Sequence, residues 1–138
     1  MMLAISVNYV AVIVAAIAAF AAGMIWYSPA VIGKKYMKVM GKTEKDMKKE
    51  MKGMQGPMIK GLVMNLIMAY VLANILGVTG AWTIMDGVQG AFWLWLGFVA
   101  TILYGAVIWE KKTMDWFIIS AGHYLVSMLV MGIVLVIM

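Results

Sequence analysis

The sequence predicts an all-α fold: a polytopic membrane protein with four transmembrane helices and an amphipathic basic interfacial segment between helices 1 and 2. Three observations carry this. Of the 138 residues, 65% are hydrophobic and 12% charged, whereas a soluble domain is nearer half apolar and a quarter charged. Four stretches have the length and apolar character needed to cross a bilayer. The lysines concentrate between the first two of them. A water-soluble fold of this size has too little interior for so much apolar side chain.

The spans cover about 7–26, 61–78, 88–109 and 116–138, within one membrane domain covering 1–138. Helices are the expected spanning form, because the alternating pattern of barrel strands is absent. The first span carries a cleavage-like AFAAG, but no lysine precedes it and it exceeds a typical signal core, so it reads as a retained helix. Residues 33–60 hold nine lysines, and the link after the third span holds Lys111 and Lys112 beside Glu110 and Asp115. The link between spans two and three has only Asp86. Positive residues stay inside. The expected location is therefore the cell membrane, multi-pass, with the lysine-rich loop cytoplasmic and both termini outside.

Each helix start has its own chemistry. Thr83 with Asp86, and Thr113 with Asp115, put acceptors and negative charge at the starts of spans three and four. Trp26, Tyr27, Trp109 and Trp116 fall at the inner interface as an aromatic belt, and Trp82 marks the outer one. Pro29 stops the first helix by restricting Ser28 to extended geometry. Ser28 then caps a second helix over about 29–40, with Ile32, Tyr36, Val39 and Met40 on one side and Lys34, Lys35 and Lys38 elsewhere. Thr43 and Asp46 open a further short helix over about 44–52, with the Gly56–Pro57 pair interrupting after it.

This amphipathic segment, about 29–58, carries a methionine stripe: Met37, Met40, Met47, Met51, Met54 and Met58, with Glu44 at the missing heptad position. Its first reading is an interfacial helix, with methionine at the lipid boundary and Lys34, Lys35, Lys38, Lys45, Lys48, Lys49 and Lys52 at anionic headgroups. Packing on a symmetry mate or an unidentified protein partner is the second. A copper(I) thioether site is the third, disfavoured by the lysines and by the lack of cysteine and histidine. No metal or cofactor is expected, and the basic run next to apolar spans is not read as a nucleic-acid patch.

Polar residues inside spans are functional candidates by default. Here the candidate intramembrane cluster is Asn65 and Asn74 in span two with Ser120, His123 and Ser127 in span four. The last three share one helical face. A neutral histidine hydrogen-bonded between helices is the plain alternative to a proton-carrying one. No embedded carboxylate accompanies it, which counts against a coupled exchanger. Small residues recur every four positions: Ala11, Ala15, Ala19 and Gly23; Gly61, Asn65, Ala69, Ala73 and Gly77; Gly97, Thr101 and Gly105. Such stripes let helices approach closely, within a bundle or in a homo-oligomer. No nucleophile elbow, phosphate loop, paired carboxylate or zinc spacing is present, so no enzyme is expected.

The run NYVAVIVAAIAAFAAGMIWYSPAVIGKKY resembles the opening of the small integral-membrane family catalogued as domain of unknown function 1761. The matching residues are Asn8, Tyr9, Trp26, Tyr27, Ser28, Pro29, Gly33, Lys34 and Tyr36. Ile32 and Tyr36 stand where that family often has phenylalanine and tryptophan. FWLWLGF and the last span are similar too. The resemblance implies a compact four-helix membrane fold and no known activity. The function expected is a non-enzymatic membrane scaffold or lipid- or partner-interacting module. The alternative is a small-solute or ion carrier or channel using the polar cluster.

Overall fold

A computed structural model of the chain describes residues 7–27, 33–43, 45–46, 48–49, 53 and 55–138. Ser28, Pro29, Ile32, Glu44, Met47, Met51, Lys52 and Met54 lie outside the described residues, and the readings that rest on them do too. Helices are the regular elements of the described residues, with no strand among them, and four helices are long and apolar enough to span a membrane.

Helix α1 is Tyr9–Trp26. Asn8 caps it: its side-chain oxygen accepts the Ala11 N–H at 3.2 Å, which satisfies one of the unpaired donors at a helix start. The amphipathic helix α2, Gly33–Met40, ends at Gly41, whose φ of +68° suits a residue without Cβ. The Lys42 N–H then reaches back to the Met37 carbonyl at 2.8 Å, closing a Schellman motif. Thr43 and Asp46 exchange side-chain-to-backbone bonds of 3.1 and 3.2 Å, the expected capping box; Lys45, Asp46, Lys48 and Lys49 are helical.

Helix α3 is Gln55–Thr79. It starts earlier than the apolar run suggested, and Gly56 and Pro57 do not interrupt it. Pro57 sits in the first turn, where no intrahelical partner is required of its nitrogen. The third span is Ile84–Trp109. It comprises α4, Ile84–Leu94, a widened π-helical stretch over Trp95–Ala100, and α5, Thr101–Trp109. It also begins before 88, because Thr83 and Asp86 form a reciprocal capping box that admits Asp86 into the first turn. The fourth span is α6, Met114–Ile137, capped by the Thr113 hydroxyl accepting from the Trp116 N–H at 3.0 Å.

Successive spans run antiparallel. The Asn8 amide donates to the Met138 carbonyl at one end. Trp26 reaches Ile119 at the other, the end to which Lys34, Lys35 and Lys38 of α2, Lys60, Lys111 and Lys112 belong. Helix α6 is central: α1 and α4 pack along it, and α3 packs mainly on α1. The buried face of α1 is the alanine stripe with Val12 and Gly23. With Ala69, Leu72, Leu76 and Met131 it forms the core. The stripe of the third span behaves differently. A Cβ at Gly97 or Gly105 meets nothing within 4 Å.

Candidate functional site: an aromatic and histidine cluster at the lysine-bearing end

Where α1 leaves the bundle, its last turn is locked onto α6. The Trp26 indole donates to the Ile119 carbonyl at 3.1 Å and comes so close to Gly122 that a Cβ there would meet the ring at 2.8 Å. A second indole, Trp95, donates to the Ala121 carbonyl at 2.8 Å. Two tryptophans on different helices thus bond carbonyls two residues apart on one helix. Trp26 is therefore more than a headgroup anchor, the role its position in sequence suggested. Trp82 and Trp109 are exposed at opposite ends of the third span.

His123 occupies the space that Gly23 leaves. Its ring faces Tyr27 at 5.1 Å and Tyr124 at 4.9 Å between centroids. Tyr27 also meets Tyr36 of α2 edge-on at 5.0 Å, and its phenol shares a hydrogen bond with Ser120. Burial pushes the Tyr27 phenol up to about 12, and repulsion from Tyr36 and Tyr124 adds to this against the opposing Ser120 bond. Tyr27 stays neutral at all ordinary pH values. The chain of contacts runs Tyr36, Tyr27, His123, Tyr124, and so ties α2 to the middle of the fourth span.

Helix α2 presents its charge outward from that attachment. Gly33 is buried and Tyr36, Met37 and Val39 are half-buried, while Lys34, Lys35 and Lys38 are exposed. Lys45, Lys48, Lys49, Lys60, Lys111 and Lys112 are exposed as well. The Lys42 ammonium stands 5.9 Å from the Tyr36 ring and the Lys112 ammonium 5.6 Å from the Trp116 ring, within cation–π reach.

The five residues of the intramembrane polar set divide. Ser120 and His123 join the cluster just described. Ser127, buried, lies two turns above Ser120 on the same face. Asn74 sits toward the opposite end. Its amide donates to the Tyr70 carbonyl of its own helix at 2.9 Å, and its neighbours Ala73, Leu76 and Gly77 line a cavity of about 170 Å³ with Asn8, Leu135 and Val136. Asn65, half-buried, stands one turn from the Gly61–Phe20 contact of α3 with α1. Between that cavity and His123 the core is filled by Ala15, Ala16, Ala19, Ala69 and Met131, each with no exposed surface. Of the methionine stripe, Met37 is half-buried, and Met40 and Met58 are exposed. Among the described residues no three His, Cys, Asp or Glu side chains converge as a metal site would need.

The sequence reading missed Trp95 and the glycines that face tryptophan or another backbone: Gly122, Gly87 and Gly132. A Cβ at Gly87 would meet the Gly132 carbonyl oxygen at 2.5 Å. Gly87 and Gly132 fall outside the four-residue stripes, so spacing did not reveal them.

No curated protein and no solved structure gives a significant match. The profile of the family described as "Protein of unknown function (DUF1761)" matches residues 10–136, nearly the whole chain, and the chain belongs to that family.

Proposed function

We propose that this protein is a non-enzymatic membrane module that organises anionic lipid, or a partner carrying negative charge, at its lysine-bearing face. The observation that carries the reading is the docked amphipathic helix: α2 is fastened to the bundle through Tyr36 on Tyr27 and exposes Lys34, Lys35 and Lys38. A basic helix held at a bundle end is placed for headgroups, each lysine near an anionic surface contributing about 1 kcal/mol. By the distribution of positive charge, this face is cytoplasmic and both termini are outside. Self-association belongs to the same reading, supported by the open surface beside Gly97 and Gly105.

The carrier alternative is less well supported. It asks one continuous path of Asn65, Asn74, Ser127, Ser120 and His123, and tightly packed alanines lie between Asn74 and His123. The two readings separate in reconstituted vesicles. Quenching of tryptophan fluorescence by brominated phosphatidylglycerol, relative to brominated phosphatidylcholine, should favour the anionic lipid. Changing Lys34, Lys35 and Lys38 to Gln should abolish that preference, and His123→Ala should leave it. A solute flux that the protein supports and His123→Ala removes would contradict the module reading.

A further inference from the structure

A polar side chain inside an apolar bundle ordinarily finds a hydrogen-bond partner across it. His123 does not. Among the described residues, no hydrogen bond or ion pair reaches its ring. Its neighbours are the Tyr27 ring at 5.1 Å, the Tyr124 ring at 4.9 Å and the α-carbon of Gly23. Nε2 makes the last contact: it would lie 2.6 Å from a Cβ on Gly23. That nitrogen therefore faces a C–H, which accepts nothing. The ring is half-buried, so protons reach it.

A protonated imidazole carries N–H donors on both nitrogens and a full charge. The site provides for neither. The titratable groups that face the ring are tyrosines: Tyr27 from α1, Tyr124 from α6 itself, and Tyr36 of α2 behind Tyr27. Helix α3 carries Lys60 and Tyr70, and the third span Asp86 and Tyr104; none of them pairs with the ring. The described carboxylates Asp46, Asp86, Glu110 and Asp115 are all exposed. Asp115, the nearest in sequence, is about 12 Å away along the helix at 1.5 Å per residue. Tyrosine faces attract a cation, but less than an unpaired charge loses on leaving water. The neutral ring fits this place and the charged ring does not.

The same ring is part of the attachment of α2. Tyr27 lies between it and Tyr36, with centroids 5.1 Å and 5.0 Å away. Helix α1 does not depend on it, because Trp26 fixes the end of α1 to the Ile119 carbonyl by its own hydrogen bond. Departure of the histidine ring thus leaves the bundle closed and removes the platform under Tyr27. The element that loses its anchor is α2, the helix that exposes Lys34, Lys35 and Lys38.

We propose that His123 is a proton-operated latch: protonation drives its ring from between Gly23 and Tyr27, and α2 comes away from the bundle with its lysines. The step is the uptake of one proton by an imidazole lone pair and needs no other reactant. It does not depend on what those lysines contact, so nanodiscs of phosphatidylcholine alone keep its test separate from the lipid reading. The chain has no cysteine, so Lys38→Cys on α2 and Met114→Cys on α6 give the full chain two spin labels and no others. Dipolar spectroscopy between them should show one narrow distance at pH 8. Below about pH 6.5, where a freed histidine takes its proton, a broader and longer component should grow, by at most about tenfold per pH unit because one proton is linked. H123F and H123Q, which fill the site without titrating, should stay narrow down to pH 5. Asp46, Glu110 and Asp115 remain in both variants, so an acid response of theirs would persist there. Gly23→Ala takes the ring's room without a proton. It should show the broad component already at pH 8, and it carries the test if the His123 variants fail to fold. A parent that stays narrow at pH 5 overturns the proposal, as does an acid response that survives in H123F and H123Q, or a narrow distance for G23A at pH 8.

Discussion

The imidazole of His123 packs against the bare α-carbon of Gly23: a Cβ at position 23 would lie 2.6 Å from Nε2. The histidine ring thus occupies room that only glycine leaves, between α1 and α6. Gly23→Ala forces the ring or the helix to move, an overpacking cost of about 1–3 kcal/mol. The thermal midpoint in detergent should fall for Gly23→Ala. It should recover when His123→Ala is added, since two residues in contact give a non-additive double-mutant cycle.

At Gly87 and Gly132 the neighbour is backbone. Each Cβ would fall about 2.5–2.6 Å from the other glycine's carbonyl oxygen, and a helix cannot yield as a side chain can. Alanine at either position should therefore destabilise more than Gly23→Ala. Gly97 and Gly105 serve as controls for the monomer in detergent, because a Cβ meets nothing of the chain there. Alanine at these two should be neutral or stabilising by up to about 1 kcal/mol, the intrinsic difference in helix propensity. Thermal midpoints of the five alanine variants give the ranking directly.

Trp26 and Trp95 each supply one indole hydrogen bond to α6. Phenylalanine keeps much of the apolar surface and removes the donor. Each substitution should cost about 0.6–2 kcal/mol, the range for polar contacts between membrane helices. Equal stability of both phenylalanine variants and the parent would show that neither bond contributes.

Tyr27 gives a pH signature. Its phenol, raised to about 12 by burial, is protonated in the folded chain where an unfolded tyrosine, with pKa about 10, would ionise. Folding therefore loses stability as the pH climbs from the unfolded value toward the folded one, and none below it. Ultraviolet difference absorbance should show one phenol titrating late, and Tyr27→Phe should remove that component and flatten the alkaline decline.

The spans were legible in the sequence because apolar length is a local property, and so were the ends marked by Thr83 with Asp86 and by Thr113. The boundaries moved where a charged or cyclic residue is tolerated in a first turn, as Asp86 and Pro57 are. Which helix neighbours which was not legible. Ser120 and His123 share a face with Ser127, but nothing in their spacing says that Tyr27 and Gly23 lie opposite, or that Asn74 turns back to its own helix at Tyr70. The role of Trp26 was hidden for the same reason: an interfacial tryptophan and one bonded to a neighbouring carbonyl look identical in sequence. The small-residue stripes of α1 and the third span are alike in pattern, yet one is buried and the other open, because only one meets another helix.

The most direct test of the central claim is native mass spectrometry of the protein released from nanodiscs of equal phosphatidylcholine and phosphatidylglycerol, for the parent chain and for K34Q/K35Q/K38Q. The account predicts that the parent retains phosphatidylglycerol in excess and that the variant retains markedly less. A parent that keeps both lipids equally, or that keeps a stoichiometric solute or metal ion in place of anionic lipid, would contradict it.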